Sequence, residues 1–318
     1  MRLPKFSHHR PETVEQAVEA LSAHPGAKVL AGGTDLLVNM KHRVETPPAL
    51  VSLSAVAGLK GIWTENGETV IGAATTLKTI QRDEGLAEKF PALVQAAMAV
   101  GSYRHQTMGT LAGNLFQNNR CRFFNQSLEW RSARSLCFKA GGEDCHVVGK
   151  KGVCFSAYSG DVAPALLVLN ASVQIAGPQG QRRTRLAGLY SGEGKAASTL
   201  GPCEIVTAVS LPRLSANGRS HYEKFSLRGA IDFPVVGAAV WTGAGAVRVA
   251  FTAVDRAPVR ATALEAELAD KELTADVIEQ AAALASKAAK VAPTTVHPVT
   301  FKRDLMASLF VKATRALG

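Results

Sequence analysis

Residues 115–159, between Asn114 and Gly160, carry four of the chain's five cysteines: Cys121, Cys137, Cys145 and Cys154. Loops of this length inside compact domains are uncommon, and those that occur are functional or disordered. Phe123, Phe124, Trp130, Phe138, Phe155 and Tyr158 exclude a disordered polar tract. The rest of the chain must therefore fold around an ordered insertion, and four thiols in one such segment suggest a metal centre.

At 318 residues, 47% of them hydrophobic, the chain exceeds one comfortable core, and two or three domains are expected. No apolar leader is visible in Met1–Arg10, and no apolar run approaches the roughly 20 residues that span a bilayer. The expected location is cytoplasmic, with no membrane contact, where reduced thiols favour metal over disulfide. The formal charge of +10 raises a nucleic-acid reading. No recognition helix, RNA-binding signature or basic repeat accompanies it, so no nucleic-acid partner is expected. The insertion concentrates basic residues (Arg120, Arg122, Arg131, Arg134, Lys139, Lys150, Lys151) against Glu129, Glu143 and Asp144. That excess suits an acidic partner or an anionic centre within the loop.

Thr13 followed by Gln16 is a capping-box pattern, and Val14, Ala17, Val18 and Leu21 share one helical face. Strands are expected at 28–30, 50–53, 69–72, 172–175 and 205–211, with helices near 91–100 and 162–170. A linker is expected from Leu211 through Gly218, dividing the chain into 1–214 and 215–318. Beyond it, extended runs at 222–227, 235–241 and 247–253 precede a helix carrying Val277, Ala281, Leu284 and Ala288. A last helix carries Met306, Leu309, Phe310, Ala313 and Leu317. Strands followed by a helical end make this an α+β domain.

Three short segments have ligand-binding character. Ala31-Gly32-Gly33-Thr34-Asp35-Leu36 follows a strand, and its adjacent glycines allow positive φ and close approach of N–H groups to an anion such as a pyrophosphate. It is not the G-x-G-x-x-G fingerprint, so a Rossmann domain is not indicated. Thr107-Met108-Gly109-Thr110-Leu111-Ala112-Gly113-Asn114 offers hydroxyls, small residues and an amide. Asp161, ahead of Val162-Ala163-Pro164-Ala165-Leu166, either caps that helix or accepts a bond from a ligand.

In this order the segments resemble the FAD-binding medium subunits of the molybdenum hydroxylase family, related to xanthine dehydrogenase and aerobic carbon monoxide dehydrogenase. The resemblance continues through Glu204-Ile205-Val206, Tyr222–Arg228 and Asp232–Val236, with Ala112 where glycine is usual. It implies an α+β chain: a two-part FAD-binding domain of the PCMH type over 1–214, then a C-terminal α+β domain. FAD would be held by Ala31, Gly32, Gly33, Thr34, Asp35, Leu36, Thr107, Thr110, Gly113, Asn114 and Asp161. Lys224 would lie near the flavin or a phosphate, or serve as an ordinary surface lysine; Tyr190, Arg228 and Asp232 are expected to be structural. No catalytic residue is expected on this chain, because the substrate site would belong to a partner subunit.

The cysteine spacing matches neither common ferredoxin pattern, and four cysteines also make a closed zinc site. The insertion, including Asn118–Ser127 and Cys145–Val148, is similar to that of the β subunits of 4-hydroxybenzoyl-CoA reductases. This implies a [4Fe-4S] cluster on Cys121, Cys137, Cys145 and Cys154, with His146 beside it and Cys203 outside the ligand set. It further implies reductive dehydroxylation of 4-hydroxybenzoyl-CoA to benzoyl-CoA, with reduced ferredoxin as donor. The partners would be a molybdenum-cofactor large subunit and a [2Fe-2S] small subunit, in a dimer of heterotrimers. The alternatives are a flavin subunit of another molybdenum hydroxylase acting on an aromatic or heterocyclic substrate, or a zinc-stabilised flavoprotein that assembles complexes.

Overall fold

Thr13 and Gln16 exchange the expected pair of capping bonds, starting the helix Val14–Ala23. That helix lays Ala17 and Leu21 against Val51 and Leu53. Beneath it, Ser7–His9 and Lys28–Leu30 both pair in parallel with the fully buried strand Ala49–Ser52. The computed structural model describes residues 2–213, 215, 217–294 and 296–318.

A five-stranded antiparallel sheet follows, in the order Ile62–Glu65, Glu68–Gly72, Ile205–Leu211, Ser172–Gly177, Gly180–Arg185. Its central strand comes from beyond the insertion, and Val209 stands opposite Ile71. The sheet thereby joins chain on both sides of the cysteine segment into one core with the helices Leu77–Arg82, Pro91–Met98 and Val162–Val168. Proline at the first position of Pro91–Met98 leaves no helical bond unmade.

The last hundred residues form an antiparallel meander of Arg219–Phe225, Val236–Gly243, Ala246–Thr252 and Val259–Arg260. Strand periodicity splits its side chains between two cores. Tyr222, Ala239, Trp241 and Ala250 face the preceding domain, while Val236, Ala238, Val240, Val249 and Phe251 face helices of their own domain. Both faces are covered, which is why these strands read as near-continuous apolar runs. The helix Val299–Arg315 buries Met306, Leu309, Phe310 and Ala313 as expected. The helix Ala275–Ala285 turns differently from the expected face. It buries Ile278, Ala281 and Ala285, leaves Leu284 40% exposed, and ends before Ala288. In an alanine-rich helix several faces are nearly equally apolar, and packing against the helix Val299–Arg315 decides among them. Of the expected linker, Leu214 and Ala216 lie outside the described residues.

The insertion is closed at its base by paired backbone bonds between Arg120 and Ala157. Its exit is fastened to the C-terminal domain through Tyr158 N–H to the Asp255 carbonyl and Ala253 N–H to the Tyr158 carbonyl. Inside it are one capped turn of helix, Leu128–Ser132, and a two-residue ladder of Asp144–Cys145 with Lys150–Lys151. Among the described residues, no helix is long and apolar enough to cross a membrane.

Candidate functional site

The strand Lys28–Leu30 ends in the turn carrying Gly32 and Gly33, and Gly33 has φ +72°, a conformation that favours glycine. Gly32 lies against the backbone of Met108 and Gly109 with no room for a Cβ, so the two glycine loops touch. The second loop is pinned by Leu111 N–H to the Thr75 carbonyl and Ala112 N–H to the Ala73 carbonyl. Thr110 Oγ1 accepts the Gly113 N–H at 3.1 Å. Alanine at 112 is therefore accommodated, since its N–H belongs to the scaffold.

Ala31–Leu36, Thr110, Gly113, Ile205 and Val206 line a cavity of about 220 Å³. A second, of about 180 Å³, is lined by Asn114, Asp161, Asp232 and Phe233. Thr34, Asp35, Thr110 and Gly113 line both, which makes one continuous cleft. Among the described residues, nothing accepts a hydrogen bond from the N–H groups of Gly33, Thr34 or Asp35. Uncommitted donors on a glycine turn are what an anionic pyrophosphate requires, so these loops fit the phosphates of FAD.

Asp161 makes no cap bond. The Val162 N–H is taken at 3.1 Å by Asn114 Oδ1, so the two residues exchange the roles the sequence suggested. Asp161 is buried, and its Oδ1 accepts from the Tyr222 hydroxyl at 2.8 Å and lies 3.1 Å from Lys224 Nζ. Lys224 also donates to the carbonyls of Ala99 and Asp232. It is thus neither a surface lysine nor a lining residue of the cleft, but braces Asp161 from behind. Thr107 is likewise outside both cavities, its hydroxyl turned back to the Arg104 carbonyl. Asp232, expected to be structural, does line the cleft; an isolated aspartate in a loop gives no signal of this.

Burial pushes the Asp161 carboxyl up to about 6 from 3.8, against the pull of Lys224 and Tyr222. The folded state therefore holds this proton more tightly than the unfolded chain. The contribution of this group to stability is largest at low pH and falls as pH rises from about 4 through 6. Lys224→Met leaves the buried carboxylate unpaired and is expected to cost about 3 kcal/mol at pH 7.5. The loss should be smaller at pH 5, where Asp161 is protonated. Urea unfolding at the two pH values checks this, and equal losses would contradict the pairing.

Cys121, Cys137, Cys145 and Cys154 all line one small pocket, walled by Phe123, Phe124, Phe138 and His146. Burial raises the Cys121 thiol, opposed by the backbone N–H groups of Phe123 and Phe124 directed at its sulfur. His146 meets Phe123 edge-on at 5.6 Å. Cys203 packs on the N-terminal core, away from this cavity. Four thiols around one cavity are soft donors of the type that metal centres use. Among the described residues, no group of three or more His, Cys, Asp or Glu side chains is arranged to hold a metal ion. A mononuclear zinc requires all four sulfurs about 2.3 Å from one point.

Within the same cavity wall lies Lys139, only 9% exposed. Its Nζ donates to Asn118 Oδ1 and the Asn119 carbonyl at 2.8 Å, the Gly194 carbonyl at 2.9 Å and Ser156 Oγ at 3.2 Å. Burial lowers this ammonium to about 8. The sequence shows it only as one of seven basic residues.

Several of those basic residues have internal duties. Arg120 pairs with Asp35 of the first glycine loop at 3.2 Å, and Asn118 N–H donates to the other Asp35 oxygen. Asn125 bonds Asn39, and Arg131 donates to the carbonyls of His42 and Arg43. Lys151 pairs with Glu143 on the surface. The insertion is therefore latched onto the loop and helix that line the cleft, and the charge of Arg120 is met by Asp35.

Residues 4–214 match the FAD binding domain in molybdopterin dehydrogenase, and residues 220–317 match the CO dehydrogenase flavoprotein C-terminal domain. The chain is 33% identical over 273 residues to the aldehyde oxidoreductase FAD-binding subunit PaoB of Escherichia coli K12, covering 83% of this chain and 86% of that one. It is 28% identical over 279 residues to the carbon monoxide dehydrogenase medium chain of Afipia carboxidovorans, covering 87% and 82%. Among solved structures, a carbon monoxide dehydrogenase from Hydrogenophaga pseudoflava superposes with TM-score 0.79 at 25% identity, over 100% of this chain and 98% of that one.

Proposed function

This chain belongs to the family of FAD-binding subunits of molybdopterin dehydrogenases, and from that premise we propose that it carries FAD in the cleft and a [4Fe-4S] cluster in the cysteine pocket. The observation that carries the reading is the adjacency of the two sites: Arg120 lines the cleft while Cys121, next in the chain, lines the pocket. FAD exchanges one or two electrons, so with a cluster beside it the subunit would relay electrons between one-electron carriers and two-electron chemistry.

The chain's own residues bind and position. Gly33, Thr34 and Asp35 offer N–H groups to the pyrophosphate, and Asp161, held by Tyr222 and Lys224, presents a carboxyl to the cleft. Arg120 ties Asp35 to the cluster loop, fixing the distance between the two centres. A molybdenum-cofactor large subunit and a [2Fe-2S] small subunit are the proposed partners, and they would hold the substrate site. The relatives named above are an aldehyde oxidoreductase and carbon monoxide dehydrogenases. They favour an oxidising holoenzyme, with aldehydes the first substrates to assay.

A second reading, the reductive 4-hydroxybenzoyl-CoA reductase fed by reduced ferredoxin, is favoured by the cysteine insertion and its flanking residues. Assay of the assembled complex with aldehydes and with 4-hydroxybenzoyl-CoA separates the two. In either direction, a complex lacking the loop cluster but retaining FAD is expected to lose turnover with one-electron protein carriers. An artificial dye able to approach the flavin should restore part of it. Unchanged turnover with the protein carrier would make the insertion a structural element.

A further inference from the structure

An ammonium group withdrawn from water is costly unless an opposite charge meets it. Lys139 is so withdrawn, and the acceptors around its Nζ are neutral oxygens: an amide, two carbonyls and a hydroxyl. Among the described residues it forms no salt bridge, although nearby Lys151 takes Glu143 and Arg120 takes Asp35. The charges acting on it are, largest first, those of Cys154 and Cys121 and then the carboxylates of Glu45 and Asp35, to which Asn118 links it. Ser156 Oγ stands 3.2 Å from Lys139 Nζ and 3.3 Å from Cys154 Sγ, bridging the two.

The cradle is built from three separate parts of the chain. Asn118 and Asn119 come from the start of the insertion and Ser156 from its end. Gly194 comes from the flavin domain, and its carbonyl also accepts from Ser156 Oγ at 2.6 Å. Gly194 approaches the Cys154 backbone and sulfur so closely that a Cβ has no place there. Phe124 covers the ammonium at 4.9 Å from its ring centroid. Such a site holds a positive charge in one place beside sulfur, which a merely space-filling lysine stem would not need.

We propose that Lys139 is the counter-charge of the metal–thiolate centre in the cysteine pocket, a positioning residue that holds its reduction potential up. The inference rests on the cluster reading above. Four thiolates around a [4Fe-4S] core leave a net negative centre, and reduction adds one more negative charge to it. A fixed cation at this depth stabilises the reduced form more than the oxidised one, since little water screens it.

The test uses the full chain purified anaerobically, with iron and acid-labile sulfide measured on every sample before an EPR-monitored potentiometric titration. Lys139→Met keeps much of the volume and removes the charge; Lys139→Arg keeps the charge. The Met variant is expected to hold its cluster and shift the one-electron equilibrium toward the oxidised form tenfold or more, which is 59 mV or more. The Arg variant should stay close to wild type. Full iron in the Met variant with an unchanged potential overturns the assignment. Should the Met variant lose iron while the Arg variant keeps it, the charge is required for the centre and the assignment stands. Loss in both makes the requirement one of shape and overturns it. Wild-type chain that holds no iron and sulfide refutes the cluster reading itself, and with it this inference, before any variant is made.

Discussion

Gly33→Val is expected to lower the flavin content of the purified chain at least tenfold while leaving the fold in place. The backbone at residue 33 sits at φ +72°, where a β-branched residue costs about 1–2 kcal/mol. A Cβ there would also stand 2.9 Å from Leu37 Cδ1 and push that side chain aside. Both effects fall on the turn whose N–H groups face the cleft, whereas the cores on either side contain neither Gly32 nor Gly33. Flavin absorbance per chain, read beside a circular dichroism spectrum, checks this. A folded variant with normal flavin would remove the first glycine loop from the binding site.

Cys137→Ser is expected to remove the iron–sulfur signal and most of the iron, with FAD retained. Serine replaces a soft thiolate with a hard, weakly acidic hydroxyl. The surrounding turn does not depend on the sulfur, because the Cys137 carbonyl accepts from the N–H groups of Ala140 and Gly142, both at 2.9 Å. The glycine loops keep their own anchors on Thr75 and Ala73. Cys203→Ser should change neither cofactor, since that thiol packs in another core. Full iron in the Cys137 variant would take this residue out of the ligand set.

What the sequence reveals here is what local patterns encode. The capping box at Thr13, the strand at 205–211 and the buried face of the last helix follow from periodicity and short-range bonding. The glycine loops stand out because few residues other than glycine accept such backbone geometry. What the sequence leaves open concerns contacts between residues distant in the chain. Asn114 and Asp161 both looked capable of binding or capping, and only their placement 47 positions apart across one helix start decides which does which. Lys224 looked like a surface or cofactor lysine because nothing near it in sequence announces the buried Asp161. Lys139 and Arg131 read as charges for an acidic partner or an anionic centre in the loop, and the sequence does not show that they also bond to carbonyls of residues 194 and 42–43. Side-chain identity shows what a residue can do; the fold selects among those possibilities.

The most direct measurement is the cofactor content of the full chain purified without oxygen: flavin, iron, acid-labile sulfide and zinc on one sample. The expected result is one FAD with four iron and four sulfide per chain, and no zinc, since four thiolates hold a [4Fe-4S] cluster. One zinc per chain with no sulfide, or flavin alone with four free thiols, would contradict it.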